Sequence, residues 1–199
     1  AARGQRRDAL LAGPLTEESM ADNIMPFKGV WPTIDPSVFL APTASVIGDV
    51  EIGAETNIWF GCLVRGDMNV IRIGKRVNIQ DLTVVHVDSR KYGTFIGDQV
   101  TIGHAAVIHA CTLKDRCFIG MQACVMDGAV VETGAMVAAG ALVPPGKTIK
   151  AGQLWAGTPA RYVRDCAERE IEMIESVPPE YWGMAREYLK IGIGVVGEP

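Results

Sequence analysis

Imidazole titrates near neutrality and, in its neutral form, is the commonest protein ligand for transition metals. This 199-residue sequence holds three histidines. All of them, His86, His104 and His109, fall in the stretch VHVDSRKYGTFIGDQVTIGHAAVIH, from Val85 to His109. Three neutral imidazoles with a fourth position open are the donor set with which zinc brings the pKa of a bound water to about 7. Iron or cobalt would accept the same donors. The plainer alternative is three unrelated polar residues on a surface, and the choice turns on whether the fold brings them together.

What must position them is a repeat. An aliphatic residue recurs at Ile34, Leu40, Val46, Ile52, Ile58, Val64 and Val70, slips by three, and resumes at Ile73, Ile79 and Val85. After one longer step come Ile96, Ile102 and Ile108, then a five-residue step to Leu113, and then Ile119, Val125, Val131, Val137, Val143 and Ile149. A fixed six-residue period fits neither an amphipathic helix nor an alternating strand, and it marks a solenoid. Each hexad supplies a short strand and a corner, and stacked coils bury one continuous aliphatic column. Gly53, Gly74, Gly97, Gly103 and Gly120 each follow a periodic position. There a side chain would crowd the corner or the backbone needs positive φ.

The repeat also serves as a ruler for the histidines. His86 follows Val85 and His109 follows Ile108, with three repeat steps between those aliphatic positions. If three steps make one coil, the two imidazoles stand one strand spacing apart, about 4.8 Å. His104 lies two places after Ile102, on another side of the coil. It cannot easily reach the same ion from within the chain, so a site using all three predicts an oligomer with rotational symmetry, most simply a homotrimer with three sites between subunits.

Composition limits the partners. The net charge is −4 and no long basic run occurs, which argues against nucleic acid. Hydrophobic residues make up 48% of the chain, and no uninterrupted apolar window is long enough to span a membrane. The five cysteines (Cys62, Cys111, Cys117, Cys124 and Cys166) form no CxxC pair, and read as buried free thiols of a reducing, cytoplasmic environment. Residues 1–19 look unlike the rest and are expected to form a poorly packed extension. Residues 20–153 are the expected solenoid, and 154–199 a helical appendage. In the appendage Thr158 and Pro159 have the types that open a helix, expected to run to about Ser176, with a break at Pro178–Pro179 and a second short helix over 180–190.

The period over about residues 34–152 resembles that of the hexapeptide-repeat family, whose left-handed parallel β-helix has three hexads per coil. RGD at Arg65–Asp67, NIQD at Asn78–Asp81, His86 and GHAAVIH ending at His109 together resemble the gamma-class carbonic anhydrases. The resemblance implies reversible hydration of CO2 to bicarbonate. It implies that zinc is held by His86 and His109 of one chain and His104 of the next. It also implies that Gln80 orients the bound water, and that Arg65, Asp67 and Asp81 make charged contacts at the subunit boundary. Two departures stand out. Met68 follows Asp67, and the loop VDSRKYG after His86 carries no glutamate, where fast members of the family have proton-passing glutamates. Asp88 is a candidate substitute, and Tyr188 a candidate to reach a neighbouring site, although packing accounts for it better. The alternatives are a catalytically weak metal-binding scaffold, and acyl transfer or thioester hydrolysis on coenzyme A derivatives.

Overall fold

The computed structural model describes residues 23–196, so the extension expected at 1–19 lies outside the described residues. The chain winds into a left-handed parallel β-helix with three faces. The first face stacks the strands Phe39–Leu40, Asn57–Ile58, Asn78–Ile79, Thr101–Ile102, Phe118–Ile119, Met136–Val137 and Gln153–Ala156. The second face contains the starts of Ser45–Ile52 and Leu63–Ile73, followed by Val84–His86, Val107–His109, Cys124–Val125 and Leu142–Val143. The third takes the ends of those two long strands and then Thr94–Ile96, Thr112–Leu113, Val130–Val131 and Thr148–Ile149.

Every periodic aliphatic residue except Ile34 and Val70 is buried. Val70 is out of phase because the second coil carries extra residues between its second and third faces. The inner positions there are Ile71 and Ile73, which pair with Val50 and Ile52. The glycines after the periodic positions answer to crowding rather than to φ. A Cβ on Gly120 would lie 2.4 Å from the backbone nitrogen of Ala139, and one on Gly103 2.6 Å from that of Met121. The left-handed φ falls two residues further on, at Ala105 and Gln122.

The appendage differs from expectation. Residues 157–160 form a turn, with a cis peptide bond between Thr158 and Pro159, not a helix start. Arg161–Asp165 then returns antiparallel to Gln153–Ala156. A single helix, α1 (Glu168–Lys190), runs through Pro178 and Pro179 without a break. Each interior proline sacrifices a helical hydrogen bond, at about 3 kcal/mol, but this helix is held by its packing. Ile174, Pro178 and Ala185 are buried against the first face, and Tyr188 packs edge-on to Trp59 and Phe60 at ring-centroid distances of 5.7 Å.

The start of α1 is tied by Glu170, which accepts two hydrogen bonds from Arg164 at 2.8 and 3.0 Å, one from Arg169 and one from the Ala167 backbone N–H. Hydrogen bonds from Arg164 and Arg169 hold the Glu170 carboxyl far below the usual carboxylate range. A depressed folded-state pKa contributes stability that is present above the unfolded value of about 4.3 and is lost as pH falls through the folded one. Glu170→Gln is therefore expected to lower the melting temperature at neutral pH. The gap from the wild type should close as thermal melts are taken to progressively more acid pH.

Candidate metal centre

The parallel register of the second face pairs His109 directly with His86. Both follow an inward aliphatic residue, so both rings point outward at the edge where this face turns into the third. Their centroids are 5.3 Å apart, and Nδ1 of His86 faces Nε2 of His109 at 3.3 Å. The other nitrogen of each ring meets a carboxylate one coil away. Nε2 of His86 lies 3.1 Å from Asp67, and Nδ1 of His109 lies 2.6 Å from Asp127. The four residues form one line across four coils, Asp67, His86, His109, Asp127.

This line restricts the protons. A carboxylate accepts only, so each outer ring nitrogen is the N–H donor of its ring. Neutral rings then present two lone pairs to each other at 3.3 Å, a repulsive contact unless a cation lies between them. With Zn–N bonds of about 2.0–2.1 Å, two vertices of a tetrahedral zinc site stand about 3.3–3.4 Å apart. The donor set and its spacing fit such an ion.

Asp67 is itself held by Arg65. Burial raises the Asp67 carboxyl, but the hydrogen bonds from Arg65 and His86 and the Arg65 charge outweigh it, so its pKa lies below the ordinary value. It remains an anion and an acceptor at any physiological pH.

His104 is placed elsewhere, in the corner between Thr101–Ile102 and Val107–His109, at the opposite edge of the second face. Its Nδ1 lies 2.9 Å from Asp81, and its Nε2 is 3.5 Å from the hydroxyl of Tyr181 on α1. Among the described residues no three His, Cys, Asp or Glu side chains cluster tightly enough to hold an ion. One chain thus supplies a pair at one edge and a single imidazole at the other. Each of the three rings is oriented by an aspartate, the arrangement found behind metal-ligating histidines.

Gln80 is buried beside Tyr181 in an apolar cleft between α1 and the corner, lined also by Met121, Met136 and Met173. It accompanies His104, not the His86–His109 pair of its own chain. Asn78 is buried in the first face, stacked on Asn57. Asp88 accepts the backbone N–H groups of Arg90 and Lys91 at 2.9 and 2.8 Å, and these bonds lower its pKa. It serves the inserted loop as a turn cap. Met68 is exposed beside Asp67. Tyr188 belongs to the packing under α1.

Two residues beside the histidines escape the sequence reading. Tyr181 lies seven residues before Tyr188, two turns of the same helical face. Asp127 lies eighteen residues after His109, which is three hexads and so one full coil.

Comparisons with known proteins identify the family. The chain is 48% identical over 160 residues to "Gamma carbonic anhydrase 2, mitochondrial" of Arabidopsis thaliana, covering 78% of this chain but only 58% of that relative's length. It is 42% identical to a "Carbonic anhydrase" of Geobacillus kaustophilus, covering 79% of this chain and 86% of the relative. Among solved structures, a hexapeptide transferase family protein from Anaplasma phagocytophilum superposes with a TM-score of 0.81 at 45% identity, over 85% of this chain and 99% of that one. No family model matches. The chain belongs to the gamma carbonic anhydrase-like branch of the hexapeptide-repeat proteins.

None of the five cysteines joins the histidines. Burial pushes the Cys62 thiol up to about 12, and burial likewise raises Cys111 and Cys117. Only Cys124 and Cys166 are partly exposed. A thiol reagent at mildly alkaline pH is expected to label at most these two in the native protein, and all five after denaturation. Fast labelling of Cys62, Cys111 or Cys117 in the folded state would contradict this burial.

Proposed function

We propose that the protein is a homotrimer that reversibly hydrates CO2 to bicarbonate, with one zinc ion at each subunit boundary. His86 and His109 of one chain and His104 of its neighbour would hold the ion. The observation that carries this reading is the pair of facing lone-pair nitrogens with carboxylates behind them; His104 on the opposite edge, oriented by Asp81, would complete the set from a neighbouring chain. Iron or cobalt would suit the same donors.

The edges also bear on the kind of assembly. A contact joining unlike edges of one face is heterologous and gives a ring where its rotation closes. A ring of three copies joined in this way would make the second face an inner wall. That wall is apolar. Leu63, Val84, Val107, Cys124 and Leu142 are stacked in register along it, and the exposed Leu82 and Met121 flank His104. The third face carries instead a largely polar column, Thr33, Glu51, Arg72, Phe95, Thr112, Val130 and Thr148.

Bound in such a site, zinc supplies a nucleophile of hydroxide strength at neutral pH by acidifying water. The chain's own residues do the rest. Asp67, Asp81 and Asp127 fix the three rings. Gln80 and Tyr181, brought in with His104, offer an amide and a hydroxyl to orient the oxygens of substrate and product. The methionine-lined cleft keeps water from an apolar gas. The thiols support a reducing compartment and the net charge of −4 argues against nucleic-acid partners; the cytoplasm fits them, although the Arabidopsis relative is mitochondrial by name.

Metal analysis of protein purified without added zinc, with its mass in solution, tests the assembly. One ion per chain and a mass about three times 21.4 kDa are expected. A stopped-flow CO2 assay then tests the chemistry, and a metal-loaded trimer inactive at neutral and mildly alkaline pH would leave only the scaffold reading. The exposed Met68 and the capping role of Asp88 favour that second reading. Under it, His104→Ala dissociates the trimer with no chemistry to lose. Acyl transfer needs one base rather than three ligands, and failure to bind a coenzyme A resin would remove it.

The interface has its own test. Val107→Glu would place three unpaired carboxylates in the inner wall, each costing on the order of several kcal/mol. Size-exclusion chromatography with light scattering is expected to show monomers, with Arg72→Ala on the third face remaining trimeric. A trimeric Val107→Glu variant would rule out the second face as the contact.

A further inference from the structure

Asp127 has no structural reason to be a carboxylate. It follows the strand Cys124–Val125 at a corner whose neighbours in the stack are Val87, Ala110 and Pro145. The corner is therefore built equally well from apolar residues. Its coil-to-coil bonds are made by the backbone: the carbonyl of Asp127 accepts from Gly146 and the N–H of Gly128 donates to Ala110. Gly128 supplies the left-handed φ of the turn, and Tyr92 of the inserted loop lies against it, pinning the turn from outside. The side chain of Asp127 reaches back one coil to Nδ1 of His109 at 2.6 Å, the shortest of the three aspartate–histidine contacts.

We propose that Asp127 is a positioning residue for the metal centre, working through His109. It fixes the proton on Nδ1, so that Nε2 carries the lone pair, and it holds the ring in the plane that aims this nitrogen at the nitrogen of His86. Asp67 does the same for His86 from the other end of the line. The two inner nitrogens are therefore both unprotonated only because both ends are anchored. Without Asp127 the His109 ring is free to place its proton on either nitrogen and to rotate, and the ion gains a ligand only after that freedom is removed again.

This inference rests on the metal reading of the histidines, and the experiment separates the two. Zinc dissociation constants are measured by competition with a chromophoric chelator for the wild type, His109→Ala, Asp127→Ala and Asp127→Asn, alongside melts of the metal-free proteins. Asp127→Ala is expected to bind zinc about 10–100-fold more weakly. Asp127→Asn, which keeps an acceptor without the charge, should fall between it and the wild type, with metal-free melting unchanged in both. Cobalt(II) bound to Asp127→Ala should show shifted visible bands, a change that a purely structural role would not produce. If the wild type binds zinc through His109 and both Asp127 variants bind it equally well, the positioning role is overturned while the metal centre stands. If the wild type binds no metal, the metal reading falls first and this inference with it. Should Asp127→Ala fail to fold, the nearly isosteric Asp127→Asn alone decides between these outcomes.

Discussion

The in-register stacking of one coil on the next is the constraint from which the rest follows. Parallel neighbours are spaced about 4.8 Å apart along the solenoid, and inward Val85 and Ile108 hold their outward neighbours to that spacing. His86 and His109 therefore face each other across one coil step, and no loop has to find this geometry. The same stacking gives the carboxylates their reach. Asp67 stands one coil before His86, Asp81 one before His104, and Asp127 one after His109. A rigid column with a fixed step suits a centre whose ligand atoms must be held to within a few tenths of an ångström.

How much of this a sequence discloses depends on what carries a period. The inner column does, because an unbranched or polar residue at any one of its positions would leave a void or an unpaired group in a space one side chain wide. The fold, its extent and the equivalence of His86 with His109 are therefore legible. Val70 shows where the ruler fails: a few extra residues between two faces shift the phase while an aliphatic residue happens to occupy the old one. The helix departs from its sequence expectation for a different reason. Proline rules describe an isolated helix, and Phe39, Trp59 and Phe60, the aromatic residues against which α1 packs, lie on a face more than a hundred residues earlier in the chain. Tyr181 was hidden likewise, since its nearness to His104 depends on how α1 lies on the first face. Asp127 was within reach in principle, one coil from a histidine. Yet a single aspartate before a glycine reads first as a corner.

The departures from fast family members acquire a physical setting. A carboxylate can pass protons only if its lone pairs are free to exchange partners with water. Asp88 has committed one oxygen to two backbone N–H groups, and their donation stabilises its anion against taking up a proton. Met68 occupies the extra residues between the second and third faces, close to Asp67, with no titratable group at all. Among the described residues, neither Asp88 nor Met68 at the His86–His109 edge is thus a good proton carrier, while a tyrosine and an amide stand at the His104 edge. In the proposed trimer, proton exit would then run from the side that a neighbouring chain supplies.

That dependence has a thermodynamic form. A lone chain offers an ion two imidazoles at one edge and one at the other, so its affinity is that of a bidentate site. In the proposed trimer the third ligand would arrive only with a neighbour, and the free energy of completing coordination would at the same time be free energy of association. The apolar wall of Val84, Val107 and Leu142 would contribute the part that does not depend on metal, and the shared ions the part that does. Each ion bound would favour closure of the ring, and a closed ring would present its remaining sites with all three imidazoles in place. The two contributions differ in what weakens them. A chelator would act at the histidines and leave the aliphatic column untouched. The coil should accordingly remain folded under conditions that dismantle the trimer, because its core is complete within one chain and its metal centre is not.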